Sequence, residues 1–254
     1  MVDIHSHILP GLDDGARTLE DSLKMVHLAA ASGTTDIVAS PHANSAFPFD
    51  EQQIQRAFCN LSDQCRGVIN LHLGCDFHLS YDNLCDALSN PEKYTVNHRC
   101  YLLVELPDLF APASVREALR QLVAKRIVPI ITHPERNQSL QSKLSQLEHW
   151  IEDGSLLQVT GQSLLGRFGH AAKRAARSLM SANLVHFIAS DAHDCIDRPP
   201  DLSAPFDYVS SQYGARRADA LFVQHPAAAL LGESLANEPV KRAAFSKWLS
   251  FFRK

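Results

Sequence analysis

Short apolar runs recur along the chain, at residues 2–5, 36–40, 70–75, 101–105, 128–132, 156–159 and 186–190. Several carry β-branched residues side by side, as in Ile37-Val38 and Ile130-Ile131. Consecutive rather than alternating apolar positions predict strands buried on both faces, as in a parallel sheet covered by helices. Between these runs the pattern changes to helical spacing. Thr18-Leu19-Glu20-Asp21 supplies an N-cap side chain and early acids. Leu19, Leu23, Val26 and Ala30 then share a face, and Gly33 ends the segment. Further helices are predicted over 50–66, 113–125, 139–153 and 170–182. Strand–helix units of roughly 25–35 residues argue for an α/β barrel or a doubly wound sheet. The barrel is favoured, with about seven strands in place of eight. Residues 239–252 carry Phe245, Trp248, Leu249 and Phe252 and predict an amphipathic helix closing a single domain over 1–254.

Composition narrows the field. A chain of 254 residues that is 45% hydrophobic and 20% charged suits one domain with an ample core. Its net charge of -4, without a Lys/Arg block, gives no footprint for nucleic acid. No apolar run reaches the roughly 18 residues of a membrane span, and no signal peptide is read, so a cytoplasmic location is expected. The six cysteines form no C-x-x-C pair and are expected as free, mostly buried thiols.

The chemistry collects where the predicted strands end. His5 and His7 flank Ser6, and alternate side chains on a strand point the same way, so both imidazoles aim at one point. Asp13 and Asp14 follow in the next loop. His42 follows the second strand, Asp76 the third, Glu105 the fourth and His133 the fifth, while Asp191 and His193 follow the seventh. In a βα barrel the C-terminal strand ends share one mouth, where functional groups gather. Each residue alone is a weak signal; together they form a nitrogen and oxygen ligand set suited to Mn, with Fe or Zn possible. So many ligands imply two or three ions. The remaining histidines, His27, His72, His78, His98, His149, His170, His186 and His225, are read as non-ligands. Three divalent ions would exceed the charge of Asp14, Asp76, Glu105 and Asp191, which favours an anionic substrate such as a phosphate ester. Arg136 and Arg198 stand close after two ligand motifs and are assigned to phosphate binding, since a guanidinium fork matches phosphoryl oxygens.

The segments "DIHSHILPGLDDGART", "ASPH", "LGCDFH", "YLLVELP", "ITHPERN" and "ASDAHD" with Arg198 carry a family resemblance. The chain resembles the PHP (polymerase and histidinol phosphatase) superfamily, most closely the manganese-dependent bacterial protein-tyrosine phosphatases of capsule and exopolysaccharide synthesis. The resemblance implies a distorted (β/α)7 TIM-like barrel with a trinuclear centre. It implies that His5, His7, Asp76 and Asp191 hold one ion, with Asp76 bridging to a second held by Glu105 and His133. Asp14, His42 and His193 would hold the third. Asp76 departs from the family's usual Glu, shortening the reach by roughly 1.3–1.5 Å. The implied reaction is phosphomonoester hydrolysis on a phosphotyrosine protein, the tail of a bacterial tyrosine kinase, with Arg136 and Arg198 as catalytic clamps. The competing readings are a histidinol-phosphate or other small-molecule phosphatase of the same superfamily, and a non-catalytic metal-bound regulatory subunit of a kinase. A cysteine-dependent phosphatase is excluded, because no cysteine has Arg six positions later.

Overall fold

The computed structural model describes residues 1–110 and 112–235. The helix predicted over 239–252 lies outside the described residues. β1 (Val2–Ser6) is buried at every position. It is followed by α1 (Leu19–Ala31), β2 (Asp36–Ala39), β3 (His42–Ala43) and α2 (Glu51–Gln64). Then come β4 (Asn70–Leu73), β5 (Asp76–His78), α3 (Tyr81–Ser89), β6 (Tyr101–Glu105) and α4 (Pro112–Ala124). The second half runs β7 (Val128–Thr132), α5 (Leu144–Glu152), β8 (Leu156–Thr160), α6 (Gly161–Leu165), α7 (Gly169–Ser181) and β9 (Phe187–Ala189). α8 (Ser203–Tyr213), α9 (Ala215–Asp219), a π-helical turn (Ala220–Gln224) and α10 (His225–Leu231) complete it.

All ladders are parallel, in the orders β1-β2-β4 and β3-β5-β6-β7-β8-β9. The predicted second and third strands end slightly early, and each is followed by a short further strand that the sequence reading did not include. Pro41 has no N–H for a ladder, and β3 resumes at His42; Gly74-Cys75 separates β4 from β5. β1 meets the segment just after β9 through an isolated bridge between Ser6 and Ala192, with hydrogen bonds from Asp191 N–H to the His5 carbonyl (2.9 Å) and from His7 N–H to the Ala192 carbonyl (2.8 Å). The α/β parallel class therefore stands, with a narrow join where the strand order returns to β1.

Alternation along the strands sorts the core into two main faces. Leu102, Val104 and Ile131 belong to the cluster shared with Leu119, Trp150 and Leu179 of the helices. Ile4, Val38, Leu103, Ile130 and Phe187 form another, which includes Ala229 and Leu230 of α10. The first residues of the strands, Val2, Tyr101, Val128 and Leu156, also meet this cluster. α10 thus covers the N-terminal strand ends, leaving the C-terminal ends for chemistry.

The N-cap reading at Thr18 stands: its side chain accepts from Asp21 N–H in a reciprocal capping box. The buried stripe of α1 is Ser22, Met25, Val26 and Ala29, rotated from the predicted face because the helix also meets α2. The cysteines are free, but only Cys65 and Cys75 are buried. Cys59 and Cys85 are exposed on α2 and α3, correcting the expectation of mostly buried thiols.

His186, read as a non-ligand, has a structural task. Its Nδ1 accepts the Leu157 N–H at 3.2 Å, which requires a neutral ring. Burial, then the charges of His225 and Arg217, push its pKa down to about 3. The folded value lies below the unfolded one, so this stability is present above about pH 6.5 and is lost as the pH falls toward 3. Thermal unfolding from about pH 7 to about pH 5 should show a loss of up to about 2 kcal/mol from this group. His186→Gln should flatten that dependence, and an unchanged pH profile would refute the assignment.

Candidate metal centre

A register shift in β1 sets the first two ligands. Asp3 pairs with Ile37 and Ser6 with Ala39, so β1 holds one residue more than β2 over this stretch. The bulge breaks strict alternation next to the core residue Ile4 and re-aims His5. His5 and His7 bring their Nε2 atoms to 3.3 Å from each other. Each ring is held from behind, His5 Nδ1 by Gln158 Oε1 at 3.1 Å and His7 Nδ1 by Asp13 Oδ2 at 2.7 Å. Such partners fix ring orientation and leave the second nitrogen for a metal. Asp13 also accepts the N–H groups of Gly15 (3.0 Å) and His42 (3.1 Å), which ties the first loop to the second.

The other predicted side chains converge on these imidazoles. Asp76 Oδ2 lies 3.6 Å from His5 Nε2, 3.9 Å from His7 Nε2 and 3.2 Å from His42 Nδ1. The shorter Asp therefore reaches the cluster from the first position of β5. Asp14 Oδ1 is 3.3 Å from both His42 Nε2 and His193 Nε2, and its side chain, 51% exposed, marks the open side. Glu105 stands between His133 Nε2 (3.9 Å) and His78 Nδ1 (3.4 Å). Asp191 turns Oδ1 toward His5 and His7, at 3.5 Å each. Its Oδ2 accepts from Arg198 Nη2 at 2.6 Å and from Arg136 Nη1. His133 (φ 34°) and Asp191 (φ 51°) both hold left-handed backbone, a strained conformation for such residues.

Among the described residues four groups of donors have their atoms within 4.8 Å of one another: His7, Asp14, His42 and His193; His5, His7 and Asp76; His5, His133 and Asp191; and His42, Asp76 and Glu105. All nine predicted ligands appear. The partition differs from the one the resemblance implies: His7 also joins the Asp14 group, Asp191 groups with His133, and His42 groups with Asp76 and Glu105. His78 touches Glu105 but enters none of these groups, and the other histidines read as non-ligands are likewise outside them.

The electrostatics match this donor set. Burial would depress His7, but the Asp13 carboxylate overrides it and holds the imidazole up at about 9. Burial also opposes His42, yet Asp14 and Asp76 hold it up at about 11. Burial would raise Asp76, but His5 and His42 hold its carboxyl well below the usual range. His193 and His42 do the same for Asp14. His133 differs: burial, then Arg136, bring it down to about 4, a neutral ligand form. Both Asp76 oxygens and His42 Nδ1 are buried without a hydrogen-bond partner. Buried anionic oxygens lacking a donor are costly, and divalent ions among them would replace the compensating histidine protons. The donors therefore fit divalent cations. Beside them a cavity of about 150 Å³ is lined by Glu105, His133, Arg136 and Asn137.

Three contributors were not assigned from sequence. Asp13 stands next to Asp14, and the two are chemically identical there; only the contact with His7 separates orienting acid from ligand. Gln158 was signalled by a polar residue inside the apolar run of β8. Glu135 in "THPERN" is fully buried, accepts from Ser163 Oγ (2.7 Å) and Thr160 N–H (3.0 Å), and is pushed by burial up to about 7.

The family described as "Capsular polysaccharide synthesis, CpsB/CapC" matches residues 1–231. A putative tyrosine-protein phosphatase CapC of Staphylococcus aureus is 34% identical over 203 residues, covering 78% of this chain and 79% of that one. Tyrosine-protein phosphatase YwqE of Bacillus subtilis (strain 168) is 30% identical over 256 residues, covering 99% and 100%. A solved structure from work on YwqE of B. subtilis and CpsB of Streptococcus pneumoniae, described as unique metal-dependent tyrosine phosphatases, superposes with a TM-score of 0.88. Its sequence identity is 29%, and the match covers 94% of this chain and 98% of that chain.

Proposed function

The chain belongs to the CpsB/CapC family of capsular polysaccharide synthesis, and from that premise we propose that it is a metal-dependent protein-tyrosine phosphatase. The observation that carries the reading is the convergence of nine His and carboxylate side chains, with unpartnered Asp76 oxygens at their middle and two arginines at their edge. His5, His7, Asp14, His42, Asp76, Glu105, His133, Asp191 and His193 hold two or three Mn²⁺ ions in this reading. Bound divalent ions supply an activated water and neutralise charge on phosphoryl oxygens. Asp13 and Gln158 hold the ligand rings in their working tautomers. Arg136 and Arg198, tethered through Asp191 Oδ2, present their remaining N–H groups to the phosphoryl oxygens. A phenolate leaving group, with a conjugate acid near pKa 10, needs less proton donation than an alkoxide does. The half-exposed Asp14 faces solvent on the side where a peptide approaches.

The substrate in this proposal is the phosphorylated tail of a bacterial tyrosine kinase, met in the cytoplasm, and 1–254 forms one phosphatase domain. Among the described residues no helix is long and apolar enough to cross a membrane. Turnover by the Mn²⁺-loaded chain of a phosphotyrosine peptide, a phosphoserine peptide and histidinol phosphate tests the substrate. The phosphotyrosine peptide should lead by at least about ten-fold in kcat/KM, about 1.4 kcal/mol of transition-state preference. Preference for histidinol phosphate would transfer the chain to small-molecule chemistry.

A further inference from the structure

Between α6 and α7 the chain reads Gly166-Arg167-Phe168-Gly169. Gly169 has φ 86° with no atom within 4 Å of where a Cβ would stand, so backbone conformation rather than space calls for glycine there. Arg167 fastens this turn to the loop ahead of Arg198, its Nη1 donating to the carbonyls of Ile196 and Asp197 at 2.8 Å each. The turn presents Phe168, half-buried, to both arginines of the centre. The guanidinium carbon of Arg136 lies 4.4 Å from the ring centroid and that of Arg198 5.8 Å.

Two cations that converge on a single carboxylate oxygen repel each other, and Asp191 brings only one negative charge to them. An aromatic face attracts both cations without taking up any of their N–H donors. A carboxylate in the same place would occupy those donors and compete with phosphate. Arg198 Nε is buried and has no hydrogen-bond partner, so its placement depends on its Asp191 contact and on the ring.

We propose that Phe168 is a positioning residue: its ring sets the guanidiniums of Arg136 and Arg198 as a fork for the transferred phosphoryl group. This rests on the phosphatase reading and names how its anion grip is held. Arg167 fixes the turn that delivers the ring.

The test uses the full Mn²⁺-loaded chain with p-nitrophenyl phosphate as substrate and inorganic phosphate as inhibitor. Phe168→Leu keeps an apolar filler, and Phe168→Tyr keeps the ring. Phe168→Leu should lower kcat/KM about ten-fold and weaken phosphate inhibition to a similar extent, while Phe168→Tyr stays within about two-fold of the parent. Made in an Arg136→Ala background, Phe168→Leu should lose most of its effect, because the nearer guanidinium is gone. A merely structural role would move both backgrounds equally, and that result would overturn the proposal. Unchanged kinetics in Phe168→Leu would overturn it too. A parent chain that hydrolyses no phosphomonoester would instead end the phosphatase reading, and this inference with it.

Discussion

Asp76→Ala should reduce p-nitrophenyl phosphate turnover by roughly a thousand-fold, the several kcal/mol that a Lewis-acid cation supplies. Asp76 is fully buried, and neither of its oxygens has a hydrogen-bond partner. Its Oδ2 faces His5, His7 and His42 at 3.2–3.9 Å, and the residue takes part in two of the four donor groups. No neighbouring carboxylate substitutes for it: Glu105 approaches His42 only at 3.8 Å, and Asp191 is engaged by both arginines. Asp76→Asn should behave like the alanine variant, because the amide keeps the shape and loses the charge. Asp76→Glu should retain activity within about ten-fold, since the carboxylate charge is kept and one methylene of extra reach needs a local shift only. Comparable turnover by Asp76→Ala and the parent would remove Asp76 from the site.

Gly15→Ala should be the most damaging of the glycine-to-alanine changes among the described residues. A Cβ at Gly15 would lie 2.1 Å from the His7 carbonyl oxygen, 2.5 Å from His7 Cβ and 2.9 Å from the His7 carbonyl carbon. These are atoms of the ligand residue's own backbone and its first side-chain carbon, so no rotamer change relieves the contact. The loop is held on both sides of the glycine, by Ala16 N–H to the His7 carbonyl (3.0 Å) and Gly11 N–H to the Ala16 carbonyl (2.8 Å). Relief must displace Asp13, which orients His7, and Asp14, which faces His42 and His193. The expected cost is about 3 kcal/mol of stability, a fall in Tm of roughly 10 °C. Activity should drop by about a hundred-fold or more, because ligand and orienting acid move together. Calorimetry with parallel rate measurements checks both, and parent-like values would show that the loop yields freely.

The class of fold was legible because β6, β7 and β8 are buried on both faces over most of their length, and burial on both faces leaves runs that are mostly apolar letters. Their register was not legible. The extra residue in β1 between Asp3 and Ser6 has no mark in Val2-Asp3-Ile4-His5, since a bulge depends on how β2 pairs with it. The breaks at Pro41 and Gly74-Cys75 could have been anticipated from a missing donor and a flexible residue; the resumption of pairing at His42 and Asp76 could not. The nine candidate positions were legible because they stand near the C-terminal end of a strand, in the loop after it, or at the start of the short strand that resumes there, and these segments bring their donor atoms together. Which donors face one another was not, because that depends on loop paths such as the one bringing His193 to 3.3 Å from Asp14. Phe168 lay hidden for a related reason. An aromatic residue between two glycines reads as a turn, and its relation to Arg136 and Arg198 exists only once three separate loops meet.

Metal content decides most directly whether these side chains act as one centre. The chain should be stripped with chelator, loaded with Mn²⁺, desalted and analysed for metal and for p-nitrophenyl phosphate turnover, beside Asp76→Ala treated in the same way. The parent should retain about two or three Mn²⁺ per chain and regain its activity in step with them, while the variant retains fewer and stays inactive. A parent that holds less than about one ion, or one that hydrolyses the ester equally well when stripped, would contradict the assignment of these residues to a catalytic metal centre.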